Sequence, residues 1–95
     1  MHELTLRERV LEARSQTLEG LDLARALGDV QAEVSALAHL GNLNAQLKEV
    51  DDAKRYFFEA LKTAERLQYG KGIGSSLLGL GDLTLADGRL EEALE

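Results

Sequence analysis

Residues 37–60 read LAHLGNLNAQLKEVDDAKRYFFEA, and this stretch decides the fold. Leu37, Leu40 and Leu43 recur at helical spacing, and Gly41 follows Leu40. Lys48 and Glu49 make a short turn, after which Asp51 and Asp52 sit where the positive end of a helix dipole favours carboxylates. Ala53, Tyr56, Phe57, Ala60, Leu61 and Ala64 then resume the spacing on a second helix. A missing side chain at Gly41 lets that second helix approach closely, and Ala53 does the same from the other side. Phe57 fills the gap between hairpins, and Ala60 lets the next hairpin's first helix pack. Small, small, large, small at these steps is what stacked antiparallel helix pairs need.

Working outward, residues 4–27 read as one long helix. Leu6, Val10, Ala13, Thr17, Leu21, Ala24 and Leu27 form its inward face. Gly28 stands where a left-handed closing residue is wanted, and Asp29 offers an oxygen to the amides of the next helix. Helices are expected over residues 30–47 and 51–67, with Asp51–Arg55 as a supporting pair. Gly70, Gly72 and Gly74 break the chain, and a fourth helix follows over residues 73–86. A last helix begins near residue 89. With Gly74, Gly79 and Gly81 inside it, the fourth helix is expected to be the least stable.

Composition agrees with an all-α chain. There are 20 Leu and 12 Ala, no proline, and only nine Val, Ile and Thr together. The 95 residues suit a single domain. A net charge of −6 repels phosphate backbones and anionic lipid, so neither nucleic acid nor membrane is expected as a partner. With no cysteine there are no disulfides or thiolate metal sites, and a cytoplasmic setting is expected. Charged residues among the first nine leave no signal-peptide core.

The chain also repeats itself with a period of 40 residues. Leu37, Leu40, Gly41 and Leu43 match Leu77, Leu80, Gly81 and Leu83. Val10 and Ala13 match Val50 and Ala53, which match Leu90 and Ala93. Leu21, Ala24 and Leu27 match Leu61, Ala64 and Leu67.

On these residues the chain resembles the tetratricopeptide repeat family. Leu40 and Gly41 stand as its first-helix pair, and Ala53, Phe57 and Ala60 as its second-helix signature. Leu80, Gly81, Gly88 and Ala93 continue the pattern. The 40-residue period, with Leu27–Gly28–Asp29 between units, looks like arrays in bacterial signalling and transcription regulators. Departures are the longer period, Leu37 and Leu77 for the first-helix aromatic, Asn44 and Thr84 for the tyrosine, and no closing proline. The resemblance implies an α-solenoid of about two repeats, incomplete at both ends. The first hairpin lacks its first helix, and the last lacks most of its second.

The resemblance also implies a concave face built from first helices. Ser35, Ala38, His39, Asn42 and Ala45 would line it in one hairpin, and Ser75, Leu78, Gly79, Asp82 and Leu85 in the next. Without a lysine or arginine there, it suits an apolar or basic peptide or helix more than a carboxylate terminus. Leu4, Leu11 and Leu18 recur every seven residues, with Leu21 beside them, and make a second apolar stripe. This stripe is read as a self-association seam. Gly70–Lys71–Gly72–Ile73–Gly74 follows no strand, so it is read as a turn and not a phosphate loop. His2 and His39 have no ligand or catalytic partners at helical spacing, and no nucleophile–base arrangement occurs. The expected function is therefore protein binding without a cofactor and without catalysis. The alternatives are a self-assembling module or the ligand-sensing part of a larger bacterial regulator.

Overall fold

A computed structural model describes residues 4–66 and 70–86, with all four of its elements α-helical. They are α1 (Leu6–Leu27), α2 (Val30–Gln46), α3 (Val50–Arg66) and α4 (Gly70–Ala86). The starts of α2, α3 and α4 are spaced 20 residues apart, half the sequence repeat. The expected last helix from residue 89, the Gly88 turn and Leu67 lie outside the described residues.

Local chemistry sets the boundaries. Thr5 caps α1 by accepting from the Glu8 amide at 3.1 Å, so the helix starts at Leu6 and not at residue 4. At its far end Gly28 turns left-handed with φ 68°. The Gly28 amide bonds the Arg25 carbonyl at 3.2 Å, and the Asp29 amide bonds that of Ala24 at 2.9 Å. This double bond pattern closes the helix. Asp29 then caps α2 through the Ala32 amide. The α2–α3 turn repeats the pattern one helix later. The Lys48 and Glu49 amides bond the Ala45 and Asn44 carbonyls, and Lys48 takes φ 64°. The glycines at 70, 72 and 74 are no break: they form the first turns of α4.

Each helix packs on the next, and α2 also contacts α4. One core cluster joins Leu21 of α1 to Val34, Leu37 and Leu40 of α2 and to Ala60 and Ala64 of α3. A second joins Ala53 and Phe57 of α3 to Ala38 and Ala45 of α2 and Leu80 of α4. Salt bridges tie the outside. Arg25 reaches Glu59 across α1 and α3 at 3.0 Å, while Arg55 pairs with Asp52 at 3.0 Å in place of the expected Asp51. Leu6 and Leu27, expected to face inward, are 76% and 72% exposed. Leu27 is the last residue of α1, and Leu6, its first, lines a groove with Val10 and the end of α2 without being buried there.

Phe57 is the central contact. Its ring is 2% exposed and lies against both Gly41 of α2 and Gly79 of α4. A Cβ added at Gly41 would stand 2.7 Å from the ring, and one at Gly79 would also collide with it. The ring has a glycine on each side, so it cannot yield to one without meeting the other. Truncating such a buried phenylalanine costs about 3–5 kcal/mol, a large part of a small domain's stability.

Gly41→Ala and Gly79→Ala should each destabilise the fold by up to about 2 kcal/mol in urea unfolding. Overpacking of about 1–3 kcal/mol outweighs the helix-propensity gain of about 1 kcal/mol. Gly74→Ala should instead stabilise by about 0.5–1 kcal/mol, since nothing lies within 4 Å of a Cβ there.

Candidate binding face

The candidate binding residues lie on α2 and α4. On α2, Ser35, His39 and Asn42 are exposed and follow one another at steps of four and three, forming a polar stripe. Ala38 and Ala45 do not join it. They are half-buried against Ala53 and Phe57, because α3 packs along that side of α2. On α4, Asp82 is exposed and Leu78 is 68% exposed. Gly79 is buried under Phe57 and leaves the face. Ser75 and Leu85 lie on α4, but their side chains are outside the described residues. The exposed candidates therefore reduce to Ser35, His39 and Asn42 on α2 and Leu78 and Asp82 on α4, with one carboxylate and no cation among them.

The second stripe on α1 divides. Leu4 and Leu18 are 41% and 38% exposed, and Leu11 is partly covered. Leu21 is only 3% exposed and belongs to the core with Val34 and Leu37. It is not available to a self-association seam. The reason is geometric: Leu21 is one helical turn from both Ala24 and Leu18, and the side turned to α2 claims it.

A polar contact absent from the sequence reading holds α1 against the α2–α3 turn. Asn44 is 2% exposed and accepts from Arg14 at 3.0 Å, while Arg14 also reaches Glu49 at 2.8 Å. A buried amide needs such a partner. The Lys48 turn brings Glu49 to the same guanidinium. The one signal in the sequence was a polar residue on an otherwise apolar helix face.

Beside this turn, Leu6, Arg7, Val10, Gln46, Leu47 and Lys48 line a groove of about 210 Å³. That is below the roughly 300–1,000 Å³ usual for small-molecule sites. Among the described residues, no group of three or more His, Cys, Asp or Glu is placed to hold a metal ion. No described helix is long and apolar enough to cross a membrane.

Arg14→Ala should cost about 1–3 kcal/mol in urea unfolding, because it removes a charged donor from buried Asn44. Arg55→Ala breaks an exposed pair and should change stability by less than about 0.5 kcal/mol. Comparison with protein-family models, curated proteins and solved structures finds no match to this chain.

Proposed function

We propose that this chain is a tetratricopeptide-like binding module that takes a peptide or helix along the first-helix face of α2 and α4. The observation that carries this reading is the seating of Phe57 between Gly41 and Gly79. A large side chain from a second helix, held between two first helices, is the packing that stacked hairpins require. Such stacking sets α2 and α4 side by side, and they do contact each other. Side-by-side first helices make a continuous surface on which an extended or helical ligand can lie.

The chemistry of that surface selects the ligand. Ser35, His39 and Asn42 offer hydrogen bonds, Leu78 offers apolar area, and Asp82 offers a negative charge. A peptide with apolar anchors and basic flanks is the best complement. An anionic C-terminus would find no lysine or arginine among these residues. The reading is one of binding and not catalysis, because it rests on packing and hydrogen-bonding groups with no reacting pair.

Fluorescence anisotropy with labelled amphipathic peptides, basic against acidic, tests this. The basic series should bind, and Asn42→Ala and Asp82→Lys should each weaken it about tenfold, or about 1.4 kcal/mol. Lys62→Ala, on an exposed part of α3, should leave it unchanged. Equal affinity for acidic and basic peptides, or an equal loss in Lys62→Ala, would refute the assignment.

A further inference from the structure

The outer two described helices, α1 and α4, expose faces whose counterparts in α2 and α3 are buried. In the central pair, α2 meets α3 through Leu37, Ala38 and Gly41 on one side and Ala53, Phe57, Ala60 and Ala64 on the other. The 40-residue repeat equates the α2 set with Leu77, Leu78 and Gly81 of α4. There Leu77 is 54% exposed, Leu78 is 68% exposed, and nothing lies within 4 Å of a Cβ at Gly81. So, among the described residues, α4 presents a first-helix face with no second helix on it.

At the other end α1 is the repeat of α3. Ala53, Phe57, Ala60, Thr63 and Ala64 become Ala13, Thr17, Gly20, Leu23 and Ala24, of which Gly20 and Leu23 are exposed, Ala13 and Thr17 half-buried and Ala24 buried. The side of α1 toward α2 is covered, as Val10, Leu21 and Ala24 are buried. The flank adjoining it is open: Leu23 is 60% exposed, Leu27 is 72% exposed, and Gly20 has nothing within 4 Å of a Cβ. It is this flank, not the Leu4–Leu11–Leu18 stripe, that corresponds to the α2-facing side of α3. So, among the described residues, α1 presents a second-helix face without a first helix.

We propose that these chains assemble head to tail, with α1 of a second copy packing antiparallel on α4 in the manner of α3 on α2. The second copy is the occupant because the buried α2–α3 contact is the repeat of the contact it would make. Side-chain sizes also compensate. Where α1 has Thr17 and Gly20 in place of Phe57 and Ala60, α4 has Leu78 in place of Ala38; in an assembled copy Leu78 is covered and the peptide face keeps Ser35, His39, Asn42 and Asp82. The contact joins two different faces, so it propagates into open chains or closes into a ring, and does not stop at a two-fold dimer.

Mixing of two variants tests this. Leu23→Glu blocks the α1 face and Leu77→Glu blocks the α4 face, both at exposed positions that folding does not require. In light scattering over a dilution series, the wild type should form species larger than a dimer as concentration rises. Each variant alone should be a folded monomer by circular dichroism and mass. Their equimolar mixture should form a 1:1 dimer through the two intact faces, and Leu11→Glu should assemble like the wild type. If residues 89–95 of the same chain take the α4 face, through Leu90 and Ala93, the wild type is a monomer at every concentration and the proposal fails. It fails equally if the mixture stays monomeric while the wild type assembles, because the contact is then a different one.

Discussion

One aromatic ring between two glycines sets the relation of three helices. Phe57 comes from α3, Gly41 from α2 and Gly79 from α4, and the ring is almost wholly buried. No other residue type at those two positions lets the backbones come so near the ring. The contact explains why α2 and α4 lie close enough to touch although α3 separates them in sequence. It also accounts for the small residues around it, since Ala53, Ala38 and Ala45 fill the remaining space without pushing the helices apart. The glycines weaken α4 as an isolated helix, and the ring they admit returns that stability as tertiary packing.

Much of this architecture was legible in the order of residues. The steps of three and four mark the helical faces, Gly28 and Asp29 mark a boundary, and small–small–large–small marks the meeting of helices. The repeat equates Gly81 with Gly41, yet the ring meets Gly79. Gly41 meets the ring from the helix before α3 and Gly79 from the helix after it, and a single sequence period does not separate these two sides. The same ambiguity misplaced Leu21, which two stripes on α1 could claim and the core took. Gly70, Gly72 and Gly74 read as a break by local propensity, but packing on α3 carries the helix through them.

Other features depend on contacts between distant residues. Arg14 and Asn44 are 30 positions apart, and only the folded stack brings them to 3.0 Å. Lys48 adopts a left-handed conformation that its identity does not announce, in a turn where the next repeat has Gly88. The binding face was legible in part. Ser35, His39 and Asn42 are on the surface as their spacing implies, but Ala38, Ala45 and Gly79 are drawn into packing between neighbouring helices. A periodic pattern places a residue on a helix, whereas the width of the open stripe depends on how closely the next helix approaches.

Nuclear Overhauser contacts from the ring protons of Phe57 test the account most directly. The chain has only two phenylalanines, and Phe58 is 53% exposed, so the buried ring is readily distinguished. The account predicts contacts from that one ring to the α-protons of both Gly41 and Gly79, with those protons shifted by the ring current. Contacts to Gly41 without Gly79, or to neither, would mean that the ring does not join the three helices and that the stack is built another way.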